Sequence, residues 1–471
     1  MPSEPTKPSI SVPPRGIALL FAIGPAIVWC AGYIGSGEVI LATRTGAILG
    51  TGVLWAVVSG IFLKYLIGLA GGWYTVATGE SMIDMFSRLP GPKNAFVWFV
   101  LVAQLVASVF SIGSIATTAG VFLAELTPIP AYLAGWMVTL LAVVIAWVGE
   151  FRLFKYVMMV TISLTLAGVA ATALRVMPSL SELLAGLVPH LPPVPDWAIA
   201  QNAGPTGWGE ILPLLGWGAG GFASQVWYTY WVMGAGFGAA SEDRQGQPAD
   251  ESRLKSFTTE DADRLVGWRR MVTLDATSAM LVGVTVTSGF LITGVGVLGA
   301  SQLAPDGPEV AFTLATLFGA QWGSTGAMLF LIGGAAALVS TQISQIAGWP
   351  YLLDDCVRIC LPGAVAPWSP IVRRRAWLVF YLLASMTVVY SLGYQPVALV
   401  KFAAIMEGLL LTPLQALAMI FGLYWVLPKL YQPEIGKRLR PGPLLGAGLM
   451  VSFLVFSFFC AIQISSVLTK S

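Results

Sequence analysis

The sequence predicts an all-α integral membrane protein with about eleven transmembrane helices, and three observations support this fold class. First, 56% of the 471 residues are hydrophobic and only 10% are charged, whereas about a quarter of the residues of a soluble domain are charged. Second, apolar runs of about 20 residues, the length that a helix needs to cross a bilayer, recur along the chain. Third, basic residues concentrate in alternate loops between those runs.

The apolar runs define the predicted helices, which we number α1 to α11 in chain order. Residues 1–16 are rich in proline and serine, which predicts a disordered cytoplasmic tail. Residues 17–471 then form a single membrane domain. The predicted helix ranges are 17–45, 50–76, 95–123, 129–149, 153–176, 209–238, 269–298, 323–352, 374–394, 397–426 and 442–468.

The distribution of basic residues predicts the orientation of the chain. With the N-terminus in the cytoplasm, the tail and the loops that follow even-numbered helices contain 20 of the 25 lysines and arginines. Such an excess marks the cytoplasmic side of a membrane protein. Because the sequence shows no organelle-targeting signal, a bacterial inner membrane is the expected location.

Composition also excludes several classes of function. A net charge of +2 gives no basic surface for nucleic acid. His190 is the only histidine, so a histidine-based metal centre or catalytic triad is not expected, and no nucleotide-binding motif is present to drive a pump. We therefore predict a transporter of a small solute that has no cofactor and is not an enzyme.

Two predicted helices contain glycine-rich interruptions at mid-membrane depth. In α1 the interruption is Gly35-Ser36-Gly37, and in α6 four glycines lie between 216 and 221. Paired interruptions five helices apart are typical of inverted-repeat transporters that bind substrate at the membrane midplane. Close helix packing is the alternative explanation. The predicted substrate-binding residues are Gly35, Ser36, Gly37, Glu38, Gly221, Phe222, Ser224 and Gln225.

The motifs around these interruptions resemble the NRAMP (natural resistance-associated macrophage protein) family of divalent-metal transporters. They are GPAIVWCAGYIGSGE in α1, YTVATGES after α2, GLVPHLP before α6, STQISQIAGWPYLLDD in α8 and LLLTPLQALAMI in α10. The resemblance runs along most of the chain. It implies a LeuT-type fold of two inverted five-helix repeats, with α1 and α6 broken.

The sequence departs from this family where its members bind metal. The family's Asp-Pro-Gly-Asn motif falls on residues 35–38 and its Met-Pro-His motif on residues 222–224, so the aspartate and the methionine are absent. The acidic proton-relay positions of α3 fall on Gln104, Ser111 and Ser114. Loss of soft ligands argues against selective Mn²⁺ or Fe²⁺ transport, and the family's proton path is absent.

Several charged side chains lie within the predicted helices. Lys64, near the centre of α2, is explained either by a structural partner or by a role in stabilising an anion. Glu38 either caps the second half of α1 or contacts the substrate or a coupling ion. The other notable side chains are interpreted as structural: Glu407 and Lys401 in α10, Asp275 at the start of α7, and the packing residues Trp227, Tyr228 and Tyr230.

The predicted substrate is a small inorganic ion. Hydroxyl, amide and backbone N–H donors near two half-helix N-termini suit an oxyanion, and NRAMP-related proteins without the metal motif have been proposed as bicarbonate carriers, so bicarbonate is the leading candidate. A hard cation such as Mg²⁺, bound by Glu38 and Gln225, is the alternative. Na⁺ or H⁺ is the possible coupling ion, and the sequence does not indicate an oligomeric state.

Overall fold

The computed structural model describes residues 10–149, 151–240, 246–304, 310–391 and 396–468. Within these ranges the chain forms helices and no strands. Eight helical stretches are long and apolar enough to cross a membrane. One of them, Gly37–Thr78, contains the second half of α1 together with α2. Three further helices complete the set: α1 and α6, which are interrupted, and α9, which carries several arginines. The described residues therefore form eleven membrane helices, as the sequence predicts.

The breaks in α1 and α6 divide each helix into two halves, which we call α1a, α1b, α6a and α6b. The observed bounds are α1a Pro25–Tyr33, α1b Gly37–Ala42 continued by Thr43–Leu49, α2 Leu54–Thr78, α3 Ala95–Leu126, α4 Ala131–Val148, α5 Phe151–Ala173, α6a Trp208–Trp217, α6b Phe222–Gly234, α7 Thr259–Thr293 continued by Gly294–Gly299, α8 324–360 after a kink at Gly323, α9 Pro370–Ser391, α10 Pro396–Ala403 continued to Lys429, and α11 Pro443–Leu468.

Two differences from the predicted bounds occur at one end of the molecule. The helix α7 begins at Thr259, ten residues before the predicted start, because Thr258 and Asp261 form a reciprocal capping box. The described part of the predicted disordered tail, residues 10–16, packs on this extension. There the Ile10 amide donates to Asp261 Oδ1 at 3.1 Å, and the Trp268 indole donates to the Ser11 carbonyl at 3.0 Å. Residues 1–9 lie outside the described ranges.

The helices pack in two groups. The first contains α1, α2, α6 and α7, and the second contains α3, α4, α8 and α9. A broken helix begins each set of five, so α1–α5 and α6–α10 form the two repeats, while α11 packs against α10 and α2. We name the two ends of the bundle cytoplasmic and external according to the predicted orientation. The two helix breaks lie between these ends, inside the first group.

Candidate functional site

The break in α1 exposes backbone carbonyls that neighbouring helices bind. The Trp217 indole of α6a donates to the Tyr33 carbonyl at 3.0 Å, and the Thr341 hydroxyl of α8 donates to the Ile34 carbonyl at 2.9 Å. An unpaired carbonyl at this depth would be costly because no bulk water reaches it. The break is therefore fully buried and is fixed by contacts to both groups of helices.

Glu38 lies in the first turn of α1b and is 1% exposed. Its Oε2 accepts the Gly35 amide at 2.7 Å, and its Oε1 accepts the Thr287 hydroxyl of α7 at 3.4 Å. A carboxylate in this position neutralises the positive end of the half-helix. The structural role considered for Glu38 is present in this conformation, with one oxygen turned back onto its own backbone.

The break in α6 is a tight turn in which Ala219 and Gly220 have positive φ angles, 56° and 74°. The Lys64 amine of α2 donates to the Gly216 and Gly220 carbonyls, the latter at 2.9 Å. Lys64 is 1% exposed, and it therefore neutralises the negative C-terminal end of α6a. This is the structural partner that the sequence could not name.

Glu407 of α10, interpreted from the sequence as merely structural, borders the same break. Its Oε1 accepts the Ala223 amide at the start of α6b at 3.1 Å, and a Cβ on Gly221 would lie 2.6 Å from its carboxyl carbon. The π-helical turn Ala404–Leu409 brings it there. Its role as the cap of α6b could not be found from the sequence, because the two residues that meet are 184 positions apart.

Protein groups thus occupy all four half-helix ends at the centre of the molecule. Trp217 and Thr341 bind the end of α1a, Glu38 the start of α1b, and Lys64 the end of α6a. Glu407 binds the start of α6b. Glu38 and Glu407 also act electrostatically on the Lys64 amine. With all three groups ionised, the centre carries two negative charges and one positive charge.

The other predicted site residues lie around this centre with different surroundings. The Ser36 hydroxyl is buried and has no hydrogen-bond partner among the described residues. Ser224 accepts a hydrogen bond from the Trp29 indole of α1a at 3.0 Å, and Gln225 donates to the Ala219 carbonyl at 2.8 Å. The Oε1 of Gln225 has no partner in the described ranges. Phe222 is fully buried and packs near Phe86, with ring centres 5.8 Å apart.

Asp275 does not cap α7 as the sequence suggested, because α7 begins sixteen residues before it. Its two carboxylate oxygens accept the Gly24 and Ala26 amides, each at 3.0 Å, and Oδ2 also accepts the Tyr228 hydroxyl at 3.1 Å. Asp275 therefore caps the start of α1a and links it to α7 and α6b. A position inside the α7 sequence gave no sign of this contact.

Gln104, Ser111 and Ser114 of α3, the positions that the sequence compares with the proton-relay residues, are buried. The Ser111 hydroxyl donates to Gln345 of α8 at 3.0 Å, and the Ser114 hydroxyl donates to the Ser111 carbonyl at 2.9 Å. Both polar atoms of the Gln104 side chain lack a partner in the described part of the chain. These residues provide neutral hydrogen-bonding groups between α3 and α8.

An ion network closes the external side of the breaks. Arg44 of α1b pairs with Glu210 of α6a at 3.2 Å and donates to the Ala304 carbonyl at 2.6 Å. Lys401 of α10 pairs with the same Glu210 at 2.8 Å. Arg44 is 2% exposed. The network therefore joins both broken helices to α10 above the centre, and the structural interpretation of Lys401 agrees with this contact.

A second network, which we call the cytoplasmic latch, closes the other side. Arg358 of α8 contacts Asp84 at 2.6 Å and Asp355 at 2.9 Å. Asp355 also accepts the Ser81 hydroxyl at 2.8 Å and the Tyr230 hydroxyl of α6b at 2.6 Å. The latch consists of these residues together with Glu80, Arg88 and Glu251. Arg88 pairs with Glu80 at 2.9 Å and with Glu251 at 2.6 Å.

The latch joins the two helix groups, since Tyr230 lies in α6b of the first group and Asp355 and Arg358 lie in α8 of the second. Ser81 and Asp84 lie in the segment that connects α2 to α3. Burial, and next to it the negative charge of Asp355, raises the pKa of Asp84 to about 7, although Arg358 opposes this shift. Between the two networks, the side chains at the breaks are buried in this conformation, with Ser36 at 0% and Glu38 and Lys64 at 1% exposure.

Known proteins share this architecture. The manganese transporter of Eremococcus coleocola, in complex with an aromatic bis-isothiourea substituted compound, matches with a TM-score of 0.71 at 16% identity, covering 98% of this chain and 90% of that one. MhsT in complex with L-phenylalanine matches with a TM-score of 0.53 at 16% identity over 92% and 98% of the chains. Mhp1, a nucleobase-cation-symport-1 family transporter, matches with a TM-score of 0.52 at 13% identity, covering 94% of this chain and 93% of that one.

Sequence comparison adds two findings. The family model described as natural resistance-associated macrophage protein-like matches residues 26–202. The uncharacterized protein PM0681 of Pasteurella multocida (strain Pm70) is 21% identical over 215 residues, which are 45% of this chain and 47% of that protein. The chain thus matches about half the length of this curated relative.

These findings define the class first: a multi-pass α-helical membrane protein with the LeuT-type fold. Within this class, the predicted resemblance to the NRAMP family is confirmed by the family model, which matches residues 26–202. At such low identities, the structural likeness shows the fold alone.

Proposed function

We propose that the chain is a secondary transporter or uniporter that moves a small inorganic ion by alternating access, and that the leading substrate is an oxyanion such as bicarbonate. The substrate would bind at the two helix breaks, beside Ser36. The proposal rests on one observation, that backbone amides at both breaks bind negatively charged groups. Both half-helix N-termini already hold a carboxylate, that of Glu38 at 2.7 Å and that of Glu407 at 3.1 Å. A small planar oxyanion offers the same oxygen geometry to such amides.

The donor groups favour an anion over a preformed metal site. The described residues contain no group of three or more His, Cys, Asp and Glu side chains that could hold a metal ion. The Ser36 hydroxyl at the α1 break has no partner among the described residues, and Lys64 places a positive charge at the α6 break. An entering oxyanion would exchange with the Glu38 carboxylate at the Gly35 amide.

A hard cation such as Mg²⁺ remains the second candidate, because one observation favours it. Two buried carboxylates face one buried amine at the centre, which leaves a net charge of −1 when all are ionised. Mg²⁺ needs only one or two carboxylates and keeps several of its waters. Glu38 and the Oε1 of Gln225, for which the described residues offer no hydrogen-bond partner, would then be its protein ligands.

We further propose Na⁺ or H⁺ as the coupling ion, and the α1–α8 contact as the place for Na⁺. The Ile34 carbonyl and the Thr341 hydroxyl meet there, and the buried Ser344 hydroxyl, which has no partner among the described residues, lies against Gly32. Glu38 is the corresponding candidate for H⁺. We also propose that the N-terminus is cytoplasmic, on the basis of the positive charges, and that the membrane is a bacterial inner membrane.

Uptake into proteoliposomes separates the two substrates. Purified protein is reconstituted, and Mn²⁺ and Mg²⁺ entry is compared with internal alkalinisation driven by external bicarbonate, with and without a Na⁺ gradient. Protein-free liposomes measure the leak. We expect alkalinisation without metal entry. Metal entry without alkalinisation would overturn the anion proposal, and acceleration by the Na⁺ gradient would select Na⁺ as the coupling ion.

The variant Lys64→Met tests how the positive charge acts, with Lys429→Met at the end of α10 as a lysine control far from the breaks. If Lys64 selects the anion, Lys64→Met abolishes bicarbonate transport while the protein still enters the membrane. If transport persists with the same charge preference, Lys64 only caps α6a.

A further inference from the structure

A groove of about 250 Å³ opens at the cytoplasmic end of the second helix group, between α4, α8 and α9. It lies away from the helix breaks and borders the latch, because the Tyr351 ring stacks on that of Tyr230 with ring centres 5.3 Å apart. Its principal lining residues are Trp147 and Gly149 at the end of α4, Tyr351 of α8, and Ile371, Arg374 and Arg375 of α9.

Two arginines dominate the chemistry of this groove. The Arg374 guanidinium lies 4.7 Å from the centre of the Tyr351 ring, and the Arg375 guanidinium lies 4.7 Å from the centre of the Trp147 ring. Stacking on an aromatic face orients a guanidinium and leaves its N–H donors directed outward. Both guanidinium groups are therefore held against aromatic side chains that line the groove.

These arginines are not neutralised by acids of the described ranges. Arg373, next to them in the sequence, pairs with Asp354 at 2.6 Å, but no such ion pair is formed by Arg374 or Arg375 within the described residues. The described lining of the groove contains no carboxylate. Glu150, which follows Gly149, lies outside those residues. The groove thus presents two positive charges that call for an anionic partner.

The surroundings of the groove are those of a bilayer interface. Apolar side chains beside it are strongly exposed: Trp147 at 42%, Val148 at 58%, Trp368 at 58% and Ile371 at 54%. Tryptophan is enriched at the level of the lipid headgroups, and exposed aliphatic side chains next to it face acyl chains. An anion that enters from this side would therefore carry an apolar tail.

We propose that this groove binds the phosphate headgroup of an anionic lipid, with the phosphate between Arg374 and Arg375 and the acyl chains along the apolar surface of α4 and α9. Arginine forks match phosphate oxygens in pairs. Basic pockets between transmembrane helices on the cytoplasmic side bind such headgroups. Because α4, α8 and α9 belong to one helix group, the lipid anchors that group in the membrane.

Lipid titration of the purified full-length protein in neutral detergent tests the proposal. Phosphatidylglycerol, phosphatidylcholine and inorganic phosphate are added separately, and bound lipid is counted by native mass spectrometry while the melting temperature is followed. We expect phosphatidylglycerol to bind and to raise the melting temperature, and phosphatidylcholine and phosphate to have no comparable effect. The double variant R374Q/R375Q should weaken phosphatidylglycerol binding about 30-fold, since each basic side chain near an anionic lipid contributes about 5-fold.

Two further variants separate charge from structure. The variant R374K/R375K keeps both charges but loses the planar guanidinium groups, so it should bind phosphatidylglycerol more tightly than R374Q/R375Q and less tightly than the parent. The variant R175Q removes an arginine stacked on Trp322 at the opposite end, 5.5 Å from its ring centre, and should have no effect. Equal binding of phosphatidylcholine, an equal effect of inorganic phosphate, or unchanged phosphatidylglycerol binding by folded R374Q/R375Q would each overturn the proposal.

Discussion

The cytoplasmic latch can be tested through Arg358, the only basic side chain that contacts both Asp84 and Asp355 in the described structure. The Asp84 and Asp355 side chains are 3% and 1% exposed, while that of Arg358 is 22% exposed. The substitution Arg358→Met removes the cation and leaves two buried carboxylates without their partner. Breaking a buried ion pair in this way costs about 3–5 kcal/mol, and the partial exposure of Arg358 places the effect at the lower end.

This cost falls on the closed conformation alone if the latch separates when the cytoplasmic side opens. A loss of about 3 kcal/mol raises the ratio of open to closed molecules roughly 100-fold. Cys356 reports this change, because it lies in α8 beside Asp355 and is fully buried in the closed state. The assay is the rate of Cys356 alkylation by a polar maleimide, in a background in which Cys30, Cys360 and Cys460 are replaced.

We expect Arg358→Met to raise this rate about 100-fold. The control Glu260→Gln removes an ion pair of similar length, 2.8 Å to Arg264, from the surface, where such pairs contribute less than 1 kcal/mol. It should leave the labelling rate unchanged. The reasoning is refuted if Arg358→Met labels no faster than the parent while its elution profile and helical content remain native.

Three further changes test the breaks and the latch. Gly37→Ala would place a Cβ 1.7 Å from Trp217 Cδ1, so we expect transport to fall at least tenfold while the protein remains in the membrane. Asp84→Asn should flatten the pH dependence of stability. In the parent the pKa of Asp84 is raised to about 7, so the native state binds more protons than the unfolded state. The stability of the parent therefore falls as the pH rises from 4 toward 7. Asp275→Asn removes an acceptor from the start of α1a and should cost about 1–2 kcal/mol, measured as a lower melting temperature.

Each of these changes has its own control. Gly209→Ala in α6a meets no atom within 4 Å and should transport normally. Asp263→Asn, at a half-exposed carboxylate, should leave the pH profile of the parent intact. Asp196→Asn, in the loop helix Asp196–Ile199, is the control for Asp275 and should not change the melting temperature. Each interpretation has one contradicting result. These are transport at the parent rate by Gly37→Ala, an unaltered pH dependence of stability in Asp84→Asn, and the melting temperature of the parent in Asp275→Asn.

The fold could be predicted from the sequence because its signals are local. Apolar length marks each span, and the glycines of Gly35-Ser36-Gly37 and of 218–221 mark the breaks, since glycine disfavours a helix wherever it stands. The start of α7 was predicted ten residues late because its first turns are charged and extend beyond the apolar run. The capping box at Thr258 and Asp261 was nevertheless present in the sequence.

The partners at the candidate site could not be predicted, because they depend on contacts between distant parts of the chain. Glu407 meets Ala223 across 184 residues, and Asp275 meets Gly24 across 251. The alternatives for Lys64 differed only in what its amine contacts, and only the fold places the Gly216 and Gly220 carbonyls beside it. Side-chain chemistry suggested which residues matter, whereas topology decides what they touch.

The contact between Lys64 and α6 has a consequence for biosynthesis. The ribosome makes the Gly216 carbonyl 152 residues after Lys64, which at 5–20 residues per second takes about 8 to 30 s. During this interval α2 carries a charge that costs a few kcal/mol at the membrane centre. The helix α2 therefore enters the bilayer before its partner exists, and nascent chains that end before α6 are expected to be targets of membrane quality control.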